Sequence, residues 1–171
     1  MLKIRRGCFE TNSSSTHAIC IPAAGSLGSG YTKRFSVGRY GWENDDADAD
    51  DYLYTAICER YEDDEEARQA ALDKIRAVCA KHNIECDFIE PKWCKLSKDE
   101  SRYLDSDDGY IDHCCEFYPL MDELFADEDL LYRYLSGAVV FTGNDNCDND
   151  RIDEIIEDYE SRGYYVYEKG N

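Results

Sequence analysis

The residues of this sequence best suited to chemistry are a run of hydroxyl side chains near the N-terminus. The run extends from Thr11 to Thr16 and is followed by His17. A serine beside a histidine can begin a nucleophile and base pair, but such sites are assembled in space and adjacency in sequence does not establish one. A phosphate-binding loop would need several glycines, and Gly7 is the nearest one. Turn chemistry favours a simpler interpretation, in which Asn and Ser side chains hydrogen-bond the backbone of a turn before a strand.

Cysteine and histidine residues offer a second kind of site, a zinc centre. Cys86 and Cys94 are followed by His113 and Cys114, with Cys115 adjacent. Thiolate and imidazole are the ligands that tetrahedral Zn²⁺ prefers. The chain has no C-x-x-C pair, however, and the alternating pattern around Cys86 explains this residue equally well as part of a strand core.

A third candidate is the acidic loop from Asp145 to Asp150. Asp145, Asp148 and Asp150 could hold Ca²⁺ or Mg²⁺ through carboxylate oxygens. The loop lacks the central glycine and terminal Glu of an EF-hand. Capping of the following helix explains the same residues without a metal.

Charge is the most extreme property of the chain, with a formal net value of −19 over 171 residues. Residues 1–41 carry six basic residues and one acidic residue, so residues 42–171 carry a net −24. Within one domain, 1–171, we therefore distinguish a basic N-terminal strand segment, 1–41, from an acidic body, 42–171. Such a body repels nucleic acid and anionic membranes and attracts basic protein surfaces.

Two short segments of the body concentrate its acids. Neighbouring helical positions place carboxylates about 5–6 Å apart, comparable in order to the phosphate repeat of about 3.4 Å along a DNA strand. The alternative is a solvated, solubilising face. The predicted partner-binding acids are Asp45, Asp46, Asp48, Asp50, Asp51, Glu62, Asp63, Asp64, Glu65 and Glu66.

Hydrophobic periodicity predicts a mixed α/β or α+β domain with one mixed sheet of about five strands and three to four principal helices. Strands are expected near 17–22, 33–38, 84–89, 137–142 and 163–168, the first two paired in a hairpin-like manner. Helices are expected near 47–61, 64–82, 128–136 and 150–162, with a further helical segment around 117–125. The last strand–helix–strand run is typical of a βαβ unit.

Two classes are excluded by the apolar pattern. No stretch approaches the 18 apolar residues of a membrane span, and the start M-L-K-I-R-R-G is not a signal peptide. We therefore expect a cytoplasmic protein whose nine cysteines are reduced thiols, mostly buried as small hydrophobes.

The segment R-R-G-C-F-E-T-N-S-S-S-T-H at residues 5–17 resembles the N-terminal signature of small proteins from phages and mobile elements of Firmicutes-type bacteria. Residues 110–113, Y-I-D-H, and 139–146, V-V-F-T-G-N-D-N, are similar to later landmarks of that group. The resemblance implies a phage or mobile-element origin and, with it, the cytoplasm of a bacterial host cell as the location of the protein. It implies no catalytic residue, so the run at residues 11–16 chiefly marks ancestry.

An acidic surface and scattered reactive groups favour a binding protein over an enzyme. The leading hypothesis is a phage-type inhibitor that imitates nucleic acid and binds a basic, nucleic-acid-handling host protein. Its most concrete form is an anti-CRISPR protein acting on an RNA-guided nuclease, whose target channel is positively charged. The alternative is a metal-dependent hydrolase or zinc-stabilised domain using Cys86, Cys94, His113 and Cys114 or the Asp145–Asp150 loop; stoichiometric zinc in purified protein would favour it.

Overall fold

The computed structural model describes residues 15–41, 45–91, 109–144 and 149–169. These ranges form a mixed α+β fold with five α-helices and eight strands, which confirms the fold class expected from the sequence. The strands are β1 (Ser15–Ile21), β2 (Thr32–Phe35), β3 (Arg39–Tyr40), β4 (Asp45–Ala47), β5 (Glu85–Phe88), β6 (Tyr110–Ile111), β7 (Val139–Asn144) and β8 (Tyr165–Lys169). The helices are α1 (Ala49–Arg60), α2 (Glu65–Lys81), α3 (Tyr118–Ala126), α4 (Glu128–Leu135) and α5 (Asn149–Ser161). Within the same residues, no helix combines the length and apolar character needed to cross a membrane.

A four-stranded antiparallel sheet is the framework of the fold, in the order β4-β7-β1-β8. Every residue of β1 is buried, because the strand has neighbours on both edges and packed layers on both faces. Alternation sends Ala18 and Cys20 to one face and Ile19 and Ile21 to the other. The strand predicted at 17–22 is therefore the centre of the sheet.

The face with Ala18 and Cys20 is covered by α5, which connects β7 to β8. Ile152 of α5 packs with Phe141 of β7 and with the two β1 residues. Both β7 and β8 are antiparallel to β1, so they run parallel to each other with β1 between them. The predicted strand–helix–strand order is confirmed, as a split βαβ unit rather than two directly paired strands.

The opposite face of the sheet packs against a helical layer centred on α1. This helix contacts α2, α3 and α4 as well as β7, and eight of its twelve residues are buried. A helix that is apolar nearly all round belongs in a core. Residues from Tyr52 to Cys58 form a buried run that joins the sheet to the other helices.

Two of the sequence-based expectations about strand pairing are wrong. Strand β2 pairs with β5 in parallel, not with β1 in a hairpin. The strands also form three sheets, since β3 and β6 make a further parallel pair. Both edges of β1 are occupied by β7 and β8, so β1 has no free edge on which β2 could pair. The helix expected near 47–61 is confirmed as α1, Ala49–Arg60, and the short strand β4 ends just before it.

Candidate functional site

The first acidic segment, from Asp45 to Asp51, serves largely to hold α1 in place. Asp48 is the N-cap of α1, and its carboxylate accepts hydrogen bonds from the backbone N–H groups of Asp50 and Asp51. Asp51 in turn accepts from the backbone N–H and the hydroxyl of Ser36, at 2.6 and 2.8 Å. These contacts join the first turn of α1 to the residue after β2.

Asp50 forms the innermost ion pair of this segment. Its carboxylate lies 2.5 Å from the Lys33 ammonium, and the two side chains are only 18% and 14% exposed. Lys33 also donates to the Leu135 carbonyl at 3.0 Å. Burial raises the pKa of Asp50 to about 6, against the opposing effect of Lys33. The charge of Asp50 is thus neutralised locally instead of being displayed to a partner.

Asp45 and Asp46 lie on a strand and not on a helix, which corrects the helical spacing assumed for them. They belong to β4, where they stand opposite Thr142 and Phe141 of β7. These residues form a strand because β7 offers an edge on which a further strand can pair, and three residues are enough for a short strand.

The second acidic segment is the one that faces solvent. Its five acids occupy the turn between α1 and α2 and the first turn of α2, and every one of them is exposed. Asp64 caps α2 by accepting from the Ala67 N–H at 3.0 Å, and Glu65 pairs with Arg68. The structure therefore orders Glu62, Asp63, Asp64, Glu65 and Glu66 at one corner of the helical layer.

Further exposed acids, which the sequence reasoning did not single out, lie on the later helices. In the sequence these acids are recognisable as the polar face of an amphipathic helix, a pattern that is less conspicuous than an unbroken acidic run. Basic residues are fewer and several are already paired, as Arg60 is with Asp122 at 2.8 Å and Lys81 with Glu128 at 2.5 Å. On α5 the exposed acids are Asp153, Glu154, Glu157, Asp158 and Glu160.

The hydroxyl and histidine residues of β1 form a buried hydrogen-bonded chain. Ser15 Oγ lies 2.9 Å from His17 Nε2, and His17 Nδ1 lies 3.0 Å from the hydroxyl of Tyr52 on α1. All three residues are buried. The sequence predicts a turn over the hydroxyl run and a strand from His17, with a nucleophile–base pair as an alternative; the structure begins the strand at Ser15 and shows both imidazole nitrogens engaged. Residues 11–14, with Ser13 and Ser14, lie outside the described residues, so the turn expected there stays a prediction.

The surroundings of His17 keep its ring neutral. Burial lowers its pKa to about 4, an effect that Asp112 partly opposes. A neutral imidazole has one N–H donor and one acceptor, which matches two hydroxyl neighbours that can each donate or accept. We interpret the hydrogen bonds from Ser15 through His17 to Tyr52 as a link between β1 and α1.

The predicted zinc ligands are not brought together within the described residues. Cys86 lies half-buried on β5, whereas Cys114 is buried beside Glu59 of α1. His113 has a left-handed backbone, with φ of 55°, and an exposed side chain. No set of three or more potential ligands is gathered in the part of the chain that is described. Cys94 falls outside it.

The pKa values of the Cys79 and Cys86 thiols shift in opposite directions because the two groups interact with each other. The hydrogen bond from Cys79 lowers the pKa of Cys86, and Arg76 and Lys33 lower it further. The same bond, together with burial, raises the pKa of Cys79. None of the six cysteines in the described ranges is in a disulfide.

The third sequence candidate, the loop from Asp145 to Asp150, is only partly within the described residues. Residues 145–148 lie outside them, and α5 begins at Asn149. The interpretations of this loop as a cation site or as a helix cap therefore both stay predictions.

Comparison of this chain with protein-family models, with curated proteins and with solved structures finds no match.

Proposed function

We propose that this protein is an acidic inhibitor that binds a basic, nucleic-acid-handling protein by presenting ordered carboxylates in place of phosphates. Its most concrete form is an anti-CRISPR protein that occupies the positively charged channel of an RNA-guided nuclease. The proposal combines a phage-like N-terminal signature with a surface suited to such a partner.

The observation that carries the proposal is the exposed acidic corner formed by residues 62–66. The C-terminal turn of α1 and the N-cap of α2 hold the backbone of this corner, and the carboxylates of Asp64 and Glu65 are held by the Ala67 N–H and by Arg68. A partner that binds ordered charges loses less side-chain entropy than one that must order them. The corner is therefore a better imitation of a phosphate backbone than a flexible acidic tail would be.

Net charge adds long-range attraction to this local geometry. The body of residues 42–171 carries −24, and fields of this size accelerate association with a basic partner. Attraction between exposed charges is screened over about 8 Å at physiological ionic strength. Binding should therefore weaken steeply as salt is added.

Two variants with equal charge changes test whether the corner or the overall charge matters. The first replaces Glu62, Asp63 and Glu66 by Gln, Asn and Gln and leaves the cap Asp64 and the ion pair of Glu65 intact. The second, matched variant replaces Asp153, Glu154 and Glu157 on α5 by Asn, Gln and Gln. Each removes three exposed carboxylates, so their effects on long-range attraction should be similar.

The measurement is competition between each protein and target DNA for a purified guide-loaded nuclease. We expect the corner variant to bind about tenfold or more weakly, because it associates more slowly and dissociates faster. The α5 variant should mainly associate more slowly. Equal inhibition by the corner variant and the parent would refute phosphate imitation at this corner. Failure of the parent to bind any such nuclease would remove the anti-CRISPR form of the proposal.

A further inference from the structure

Strand β8 lies at an edge of the four-stranded sheet. In the order β4-β7-β1-β8, the only strand among the described residues that pairs with it is β1. Alternate residues of an antiparallel strand direct their N–H and C=O groups away from the partner strand, so about half of β8 points these groups outward. Within the described ranges, no backbone hydrogen bond outside the β1 pairing involves residues 165–168. Such an edge is a template on which a further strand can pair.

Two tyrosine side chains of β8 are held in place by hydrogen bonds. Tyr165 is 39% exposed, and its hydroxyl donates to a carboxylate oxygen of Glu123 on α3 at 3.0 Å. The hydroxyl of Tyr167, which is half-buried, donates to the backbone carbonyl of Glu116 at 2.8 Å. Both rings therefore lie on the face of the sheet that carries the helical layer. Tyrosines held in this way supply contact area at a low cost in side-chain entropy.

Negative charge borders the same edge. Glu123 is exposed beside the first of these rings, and the side chain of Glu116 is 32% exposed. Burial, followed by the charges of Glu123 and Glu116, raises the pKa of Tyr167, so both carboxylates act at this edge. Arg162, a basic residue shortly before β8, is already paired with Asp158 at 3.1 Å. The edge therefore favours a cationic partner.

Charge also restricts what can pair with β8. The strand itself carries one acid and one base, Glu168 and Lys169, but a second copy of the chain would bring a further net charge of −19 to the edge. A basic segment in an extended conformation meets no such repulsion. The apolar stems of its Lys or Arg side chains can lie along the two tyrosine rings, with their charges directed to Glu123 and Glu116.

We propose that the outer edge of β8 binds an extended, basic segment of a partner protein by strand addition. The outward N–H and C=O groups of β8 supply the affinity, and the contacts of alternate side chains supply the specificity. The sheet then gains a fifth strand, and β8 becomes an internal one. This surface is separate from the acidic corner at residues 62–66 and does not require the partner to be a nuclease, so the two proposals can fail independently.

The test uses the full-length protein and a synthetic peptide of about seven residues, in which Lys alternates with Val and which is long enough to span the strand. The control peptide has the same sequence with a methyl group on every backbone nitrogen, so it keeps the charge and loses the N–H donors. Binding of each peptide is measured in about 0.15 M NaCl, where attraction between exposed charges is screened over about 8 Å. We expect the unmethylated peptide to bind about tenfold or more tightly, because it alone can donate backbone hydrogen bonds to the edge.

Amide hydrogen exchange locates the bound peptide. The outward amides of β8 should exchange rapidly in the free protein and about tenfold or more slowly at saturating peptide, since exchange requires the new hydrogen bonds to open. The amides of residues 62–66 should exchange at the same rate with and without the peptide. Slow exchange of the outward β8 amides before any peptide is added would show that the edge is already paired, and would overturn the proposal.

Two acid-to-amide variants remove the same charge at different places. Glu123→Gln should weaken binding of the unmethylated peptide by about threefold or more, because it removes the carboxylate beside Tyr165. Glu85→Gln is the matched control, since Glu85 is exposed on β5 in a different sheet, and should change binding by less than about twofold. Equal binding of the two peptides would mean that charge attraction alone explains the complex. That result, or protection of residues 62–66 in place of β8, overturns the proposal.

Discussion

His17 shows how a residue that resembles a reactive group can serve to join two elements. Its ring is buried between the hydroxyls of Ser15 and Tyr52. Burying a polar group is costly unless it is hydrogen-bonded. Here the hydroxyls of Ser15 and Tyr52 each hydrogen-bond one ring nitrogen of His17. The sequence offered a histidine beside serines but gave no means of predicting Tyr52, because this third member lies 35 positions along the chain.

The first prediction concerns the pH dependence of stability that His17 contributes. Its pKa falls from 6.5 in the unfolded chain to about 4 in the folded protein. The unfolded state therefore binds the proton more readily, and stability from this residue, fully present above pH 6.5, is lost as pH falls toward 4. The free-energy difference between the parent and His17→Gln in urea unfolding should shrink by about 2 kcal/mol between pH 7 and pH 5.

Asp50 provides an internal check on that prediction because its linkage has the opposite sign. Its pKa is raised from 3.8 to about 6 in the folded protein, so the folded state takes up the proton first and acidification favours folding through this residue. Asp50→Asn should therefore make the loss of stability between pH 7 and pH 5 steeper than in the parent. A difference between the parent and His17→Gln that does not change with pH would show that His17 is not held neutral by burial.

At the scale of elements, local patterns located most helices and strands but not the partners of the strands. The stripe of Ala71, Ile75 and Val78 predicts α2, and Asn83 and Gly163 mark helix ends because both adopt positive φ. The strands β3, β4 and β6 are only two or three residues long. Such strands exist because a neighbouring strand supplies hydrogen bonds, and that information is absent from a local window.

The second prediction tests the connection between β2 and α1. Asp51→Ala leaves the backbone N–H of Ser36 without the carboxylate that accepts it at 2.6 Å. An unsatisfied, partly buried donor costs about 1–3 kcal/mol. We expect the urea midpoint to fall accordingly while the slope of unfolding free energy against urea is unchanged.

Glu66→Ala is the appropriate control for the loss of one negative charge near a helix N-terminus. Glu66 lies in the first turn of α2 and is exposed, so its removal should change stability by about 0.5 kcal/mol or less. Equal effects of the two substitutions would contradict the structural role assigned to Asp51.

At the scale of the whole molecule, the carboxylates divide into two populations that the sequence alone does not distinguish. Asp48, Asp50 and Asp51 hold α1 against β2, whereas residues 62–66 face solvent. Both segments are acidic runs at the start of a helix, and both satisfied the same argument from charge density. What separates them is the position of Ser36 and Lys33, which only the tertiary fold brings to the first segment.

The last prediction follows from the net charge of −19. A strong excess of one sign destabilises the compact state through repulsion. Ion pairs of the described residues such as Arg34–Asp87 and Arg76–Asp73 involve exposed side chains and contribute little against it. Raising NaCl from about 0.05 M to about 0.5 M should therefore increase the free energy of unfolding, by about 1 kcal/mol, because screening then acts over a few ångströms.

The charge variant that replaces Asp153, Glu154 and Glu157 supplies the control for this salt effect. It removes three negative charges from an exposed helix face, so it should be more stable than the parent at low salt and should gain less from added NaCl. Urea unfolding of both proteins at each salt concentration measures the two quantities together. A fall in parent stability with salt would mean that its ion pairs outweigh the repulsion, and the excess acids would then have to lie far enough apart to be independent of one another.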